Sequence, residues 1–523
     1  MNTGSSIGTR FWMGTGVSTS TGFGPRAGVS TGTEVDRARL IIRDARADFA
    51  DDPSVAAELA ECERRLDEPL RVALVGKLKS GKSTLLNALV GEEIAPTDAT
   101  ECTRVVTWFH RSAGPRIELT HDGGRRTPLP VHRTDGRLRL DLGPVPADRV
   151  ERLVVGWPSA LLDSYTVIDT PGTSSNSADV SARTMAFLAP EDGACEAEAV
   201  IFLMRSRHDS DVALLRQLQE QTGAGGPLGI VGVLSRADEL GGAAVGSGAV
   251  GSGAVGPAGA LGAARQRSAA LRTDPELGGL HRDFVAVSGL LALRGQTLRQ
   301  REFAALAALA GLPDDVLEAA LVSAGRFAGA ELGVPAVERE WLLEAFGLVG
   351  VRIAVDLVRG GARDAPALAA ALVRHSGLDE LHRVLDARFA SRHGQLKAHA
   401  ALRTVHRVLL RQPATRSARL LRAVERLLAD SHAGTEVRVL AGVAALPVAE
   451  PTRDALERVL GGRGTSAAAR LGLPADADRQ QLHTAALYAI GHWRYQLDHP
   501  LLDRPTERAY RAAVRSCEAI VAH

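Results

Sequence analysis

Lysine is nearly absent from this 523-residue chain: of 62 basic residues only Lys77, Lys79, Lys82 and Lys397 are lysine, and three of those fall within six positions. Net charge is lacking too. The balance of +1, from 62 Lys+Arg against 61 Asp+Glu, excludes a broad electrostatic attraction for nucleic acid and leaves only local patches to argue from. The four cysteines, Cys62, Cys102, Cys195 and Cys517, stand far apart, with neither metal-ligand spacing nor a disulfide framework, so a reducing cytosol is expected. No run approaches the roughly 20 apolar residues that cross a bilayer. The strongest candidate, Trp341 to Val358, is interrupted by Glu344, Arg352 and Asp356. The N-terminus has no continuous apolar segment of the signal-peptide kind. Together these absences predict a cytoplasmic chain whose membrane contact, if any, is peripheral.

What is present is a soluble globular composition, 45% apolar and 24% charged, in a chain too long for a single core. Residues 1–32 are dominated by Gly, Ser and Thr and are expected to form a disordered tail. Residues 33–66 read as two short helices, with Asp52 capping the second and Pro53 at its first position. Over 67–300, short apolar runs at 71–75, 166–168, 200–204, 229–234 and 284–287 alternate with helical stretches. That pattern predicts a doubly wound, mostly parallel α/β sheet. Within it, Arg116 to Leu142 alternates around Gly123-Gly124 and Asp135-Gly136 and reads as a β-hairpin excursion. Residues 241–262 repeat AVGSG and read as a flexible Gly/Ala insertion. Strand signals vanish after about residue 300. Residues 301–523 read as an all-α bundle or stalk, illustrated by the stripe Leu378, Leu381, Leu385, Phe389 and Leu396 and completed by the helices before residue 67.

The chemistry concentrates at Gly76-Lys77-Leu78-Lys79-Ser80-Gly81-Lys82-Ser83, which matches G-x-x-x-x-G-K-S between a strand and a helix that continues through Thr84. Gly76 and Gly81 let the backbone wrap a phosphate with its N–H groups inward. Lys82 supplies a compact ammonium to the β- and γ-phosphates, and the Ser83 hydroxyl suits Mg2+. Asp169-Thr170-Pro171-Gly172 then follows a strand in the form of a GTPase switch. Asp169 stands behind Mg2+, directly or through water, and the Gly172 N–H senses the γ-phosphate. Ser235-Arg236-Ala237-Asp238 resembles N/T-K-x-D. A carboxylate at Asp238 accepts from guanine N1–H and its 2-amino group, a pair adenine does not offer, and Arg236 replaces the usual lysine as a planar group that stacks on the base. Val287-Ser288-Gly289 comes last, in position for a backbone N–H to meet guanine O6. The 87-residue step from Lys82 to Asp169 exceeds what a small GTPase needs and predicts a large one with insertions.

These segments, with ATECTRVVTWF after the phosphate loop and SGLDELHRVLDARFASRHGQLKAHAAL near residue 390, resemble the actinobacterial dynamin-like GTPases. The resemblance runs from about residue 35 to 520. It implies a GTPase head on a helical bundle, hydrolysis of GTP to GDP, and nucleotide-dependent association into homo-oligomers or with a second dynamin-like protein. It also implies work at the inner face of the plasma membrane, induced by stress or drug, and no nucleic-acid partner. Thr103 corresponds to the switch threonine that closes on Mg2+, with Thr97 and Thr100 as alternatives. Where dynamins carry glutamine or a small residue and then serine, this chain has Leu78 and Lys79. The family's serine helps hold a monovalent cation against the developing charge, so Lys79 is expected to supply that charge itself, the alternative being an ordinary solvated lysine.

Two rival functions remain: a GTP-bound scaffold that regulates a catalytic partner, and a soluble GTPase of ribosome assembly. The C-terminal helices, read as lacking a basic stripe and an RNA-binding module, weigh against the second. Trp341 to Val358 reads as a core helix with Gly347 and Gly350 allowing close approach, Val439 to Val448 as core packing ahead of a lipid-touching tip, and His399 and His492 as satisfied histidines. No metal site beyond Mg2+ is expected.

Overall fold

The computed structural model describes residues 31–96, 105–172 apart from positions 122, 135, 136, 144 and 148, residue 187, then 196–224, 229–240, 257–278, 284–443 apart from 431, and 446–522. The tail up to residue 30, Cys102, Cys195 and all three candidate switch threonines lie outside them.

A nine-stranded sheet carries the nucleotide motifs. Its strands are β1 (Leu70–Gly76), β2 (Thr107–Arg111), β3 (Arg116–His121), β4 (Arg125–Leu129), β7 (Val150–Trp157), β8 (Tyr165–Asp169), β9 (Ala199–Met204), β10 (Gly229–Ser235) and β11 (Phe284–Val287), in the order β11-β10-β9-β1-β8-β2-β7-β3-β4. The five strands from β11 to β8 are parallel and buried on both faces, which explains their near-continuous apolar sequences. β2 then pairs antiparallel with β8. The insertion between the phosphate loop and the switch holds β2 to β7. The excursion expected as one hairpin is two: β3 with β4 around Gly123-Gly124, and a separate ribbon of β5 (His132–Thr134) with β6 (Arg137–Arg139). β2 and β7 complete the sheet where no strand was expected, each mixing polar residues with its apolar ones.

Helices α1 (Thr31–Asp48) and α2 (Pro53–Arg65) precede the sheet. The Asp52 side chain accepts from the N–H groups of Ser54 and Val55, so the cap read from the sequence forms. Both helices share an apolar core with helices His393–Leu410 and Ala414–Asp430, built on Ile42, Phe49, Leu59, Leu402, Val405 and Val424. Two further helical cores gather 291–372 and 439–517.

Three expectations are corrected. The stripe Leu378, Leu381, Leu385, Phe389 and Leu396 is helical, but it packs into the core beneath the parallel strands and not inside a bundle. Phe389 lies so close to β10 that a Cβ on Gly229 would stand 2.8 Å from its ring. Of the Gly/Ala insertion, positions 241–256 lie outside the described residues, and the remainder opens a helix, Pro257–Thr273. In helix Ala336–Arg359, Gly347 marks a kink at φ +66° and ψ 166°, a conformation essentially open to glycine alone, while only Gly350 serves close approach, its Cβ position 3.4 Å from Leu291 of the neighbouring helix. Val439, Leu440, Val443 and Leu446 are core residues. No described helix is long and apolar enough to cross a membrane.

Candidate nucleotide site

The three sequence motifs meet at the C-terminal edge of the parallel strands, where ligands bind in open α/β sheets. β1 ends at Gly76, whose Cβ position lies 2.4 Å from the Leu203 carbonyl oxygen of β9, so no side chain fits there. The loop turns through a Ser80 N–H to Lys77 oxygen bond of 3.1 Å and enters helix α3 (Lys82–Val90) from Gly81 at φ +93°. The first-turn N–H groups of α3 and the loop amides therefore face one small volume.

Lys82 is 8% exposed and donates from Nζ to the Gly76 oxygen at 3.1 Å and the Lys77 oxygen at 3.3 Å, so its ammonium sits inside the loop it is to serve. Burial holds its pKa below the usual lysine range, with Asp169 opposing. Ser83 Oγ donates to Asp169 Oδ2 at 2.8 Å. The other oxygen, Asp169 Oδ1, is shielded from solvent and has no hydrogen-bond partner among the described residues. Burial pushes this carboxyl above the usual range, with Lys82 and Ser83 opposing. A hydroxyl beside a carboxylate with one unsatisfied oxygen is the hard-oxygen donor set that suits Mg2+.

The segment after Asp169 folds back over the loop. Thr170 Oγ1 donates to the Leu74 oxygen at 2.7 Å, and Gly172 lies so close that a Cβ there would stand 2.6 Å from Leu78 Cα and 3.1 Å from Lys82 Nζ. Gly172 is thus placed beside the lysine. On the other side, Gly81 comes within 3.8 Å of Ser235 Cβ, measured from its Cβ position, which joins the base segment to the phosphate loop. Ser235 Oγ donates to the Met204 oxygen at 3.1 Å. Arg236 adopts φ +53° and reaches Glu239 at 2.6 Å. Asp238 is 7% exposed, and burial raises its pKa against a hydrogen bond donated by the Ser288 hydroxyl.

That bond narrows the part of Ser288 within Val287-Ser288-Gly289. Its backbone N–H donates to the Ser376 oxygen at 2.8 Å and cannot face a base, so its contribution is the hydroxyl, and the free amide of this segment belongs to Gly289 at the start of helix Gly289–Thr297. Lys77 likewise differs from a phosphate ligand: its ammonium pairs with Asp211 at 3.0 Å on the helix that follows β9, leaving only its backbone for the cradle. Asp211, like Glu239, carries no sequence signal, since each matters only through a partner from another segment. Lys79 is exposed at φ +62°, with no ion pair or hydrogen bond among the described residues. Leu78 beside it is 49% exposed. Far from the site, His399 is held neutral by burial, with Arg403 and Arg438 adding, at a pKa of about 3, and its Nε2 has no partner, so it is buried but not satisfied. No His, Cys, Asp and Glu cluster among the described residues has the makings of another metal site.

A phosphate loop on β1, a carboxylate closing β8 and a buried aspartate after β10 define a P-loop GTPase domain, here with a helical region appended. The Dynamin family model matches residues 72–236. The chain is 44% identical over 480 residues to isoniazid-induced protein IniC of Mycobacterium tuberculosis, covering 90% of this chain and 93% of that one. It is 36% identical over 123 residues to isoniazid-induced protein IniA of the same organism, covering 22% and 19%, and 28% identical over 162 residues to the bacterial dynamin-like protein of Nostoc punctiforme, covering 28% and 22%. The chain belongs to the dynamin-like GTPase family.

Proposed function

We propose that this protein binds Mg2+-GTP at the edge of the parallel strands, hydrolyses it to GDP and phosphate, and uses the nucleotide cycle to associate at the inner face of the cytoplasmic membrane, with itself or with a second dynamin-like chain. The observation that carries the reading is the meeting of three carboxylate- and lysine-bearing segments, Lys82 with Ser83, Asp169, and Asp238, around one cradle. Asp238 and the Gly289 amide read the base. The loop amides and Lys82 hold the β- and γ-phosphates, and Gly172 registers the terminal one. Ser83 and Asp169 are the residues that would hold Mg2+, which supplies charge neutralisation on the phosphate oxygens when bound. Thr103, with Thr97 and Thr100 as alternatives, is assigned to closing over the metal. With Mg2+ present, calorimetry should give GTP at least a 100-fold preference over ATP, because a buried carboxylate facing adenine is left without donors. Equal affinities would overturn the reading.

Lys79 decides between a hydrolase and a GTP-bound scaffold that regulates a partner. It stands on the phosphate loop as an exposed cation held by no acid among the described residues, in a backbone conformation that costs about 1 kcal/mol. If its ammonium swings over the phosphates, it takes the place of a bound monovalent cation. Lys79→Ala should then slow phosphate release about tenfold or more, leave GTP affinity within about threefold, and make the residual rate potassium-dependent where the parent is not. Unchanged turnover and unchanged potassium response would sink the assignment. A parent protein that binds GTP tightly and releases no phosphate would favour the scaffold.

A further inference from the structure

The last helix, Arg504–Val521, is begun by an Asp503 cap, its carboxylate accepting from the Thr506 N–H at 2.9 Å. Its inner face, with Ala509, Ala513 and Cys517 fully buried, closes the C-terminal core. Its outer face carries Arg504, Arg508, Arg511 and Arg515, all exposed, at spacings of four, three and four that align them in one row. This row corrects the reading that the C-terminal helices have no basic stripe. Its signal was present in RPTERAYRAAVR, masked by the abundance of arginine everywhere else.

The row borders an open cleft of about 360 Å³ whose far wall is His432 and Thr435 on helix His432–Gly442. Arg438 extends the positive charge along that second helix, its Nη2 3.4 Å from Thr435 Oγ1. Three acids belong to this region, of which Asp503 is held as the helix cap. Glu507 is paired with Arg511 at 2.6 Å. Glu436 is buried beneath the cleft and taken by Arg470, by His432 at 3.2 Å and by the Ser516 hydroxyl at 2.6 Å. Arg504, Arg508 and Arg515 have no ion pair or hydrogen bond among the described residues. Like charges one turn apart destabilise a helix, so this row works against its own element unless an anion lies over it. In a chain of net charge +1 it is a local imbalance.

Its shape points to the class of anion. The four guanidiniums extend along roughly 16 Å of a convex helix, at 1.5 Å per residue, and cannot converge on one small ligand. An exposed apolar side chain stands at their start: Leu501, 85% exposed, comes three residues before Arg504 in the connection from helix Arg479–Leu497. Charge that engages phosphates beside an exposed leucine that enters the acyl boundary fits a lipid lamella better than a nucleic acid, which has no use for Leu501. We infer that the arginine face of helix Arg504–Val521 is the surface on which this protein docks to an anionic phospholipid bilayer. The inference rests on the membrane reading proposed above and names the surface that performs it.

The test is co-sedimentation of the full chain with phosphatidylcholine vesicles, with and without phosphatidylglycerol, at low and high salt. The parent should pellet with the anionic vesicles alone, and salt should weaken it. Arg508→Ser/Arg515→Ser should lower the partition about tenfold or more while melting like the parent and binding GTP equally well, since both side chains are solvent-exposed and their helix packs into the C-terminal core. Leu501→Ser should lower it further. If the double variant pellets as the parent does, the surface is wrong and the membrane reading stands. If the parent pellets with neither vesicle, both fall. Arginine-dependent binding to single-stranded RNA without vesicle binding would overturn the lipid assignment in favour of a nucleic acid.

Discussion

Asp238→Asn should convert a guanine pocket into a xanthine pocket. The carboxylate of Asp238 is positioned by the Ser288 hydroxyl and is 7% exposed, so a guanine that donates N1–H and its 2-amino group meets an acceptor with few competitors from water. Asparagine presents one acceptor and one NH2 donor. That donor opposes the guanine 2-amino group but matches the 2-carbonyl of xanthine. A buried polar mismatch of this kind is worth about 100- to 10,000-fold, so GTP affinity should fall by that range, xanthosine triphosphate should gain, and ATP should remain weak. Nucleotide titration by calorimetry reads all three. The stability of the nucleotide-free protein should move the other way or not at all. Burial raises the Asp238 pKa, which means the charged form is a cost to the fold at pH values above that raised pKa, and a neutral isostere removes the cost. A variant that keeps GTP selectivity, or that loses affinity only because it melts, would remove the base-reading role.

Glu198→Gln should be strongly destabilising. Glu198, immediately before β9, is 3% exposed and accepts from Arg65 at 3.0 Å at the end of α2, from Lys397 at 3.2 Å on helix His393–Leu410, and from the Arg71 N–H at 2.6 Å at the start of β1. Burial depresses the Lys397 pKa, and Glu198 is what opposes that depression. With glutamine, two cations lose their counter-charge in the interior and an NH2 group faces donors, a loss of about 3–5 kcal/mol. Chemical denaturation should show it as a lower midpoint. Adding Lys397→Met should restore part of it, because a flexible apolar chain replaces the stranded ammonium. A single variant within about 0.5 kcal/mol of the parent would show that water reaches the cluster.

The nucleotide cradle was legible because its geometry is local. Gly76 to Ser83, Asp169 and Asp238 each close a short apolar strand, and a strand's parallel neighbours bring its end to a shared edge. The stripe from Leu378 to Leu396 was legible as a helix but not as a lid on the sheet, since periodicity fixes which face is apolar and says nothing of what covers it. Glu198 could not be found, because its three partners lie at positions 65, 71 and 397. Lys397, alone outside the phosphate loop, was the one hint of that cluster. Which amide of Val287-Ser288-Gly289 is free could not be read for the same reason: the Ser288 N–H has its partner, Ser376, 88 residues away.

The lid has a practical corollary for anyone excising the nucleotide-site half. A fragment stopped near residue 300 would strip Leu378, Leu381, Leu385 and Phe389 from beneath β10 and β11 and leave a raw apolar flank in water. The smallest piece that keeps the nucleotide site covered must therefore run past Leu396, well beyond the first three hundred residues.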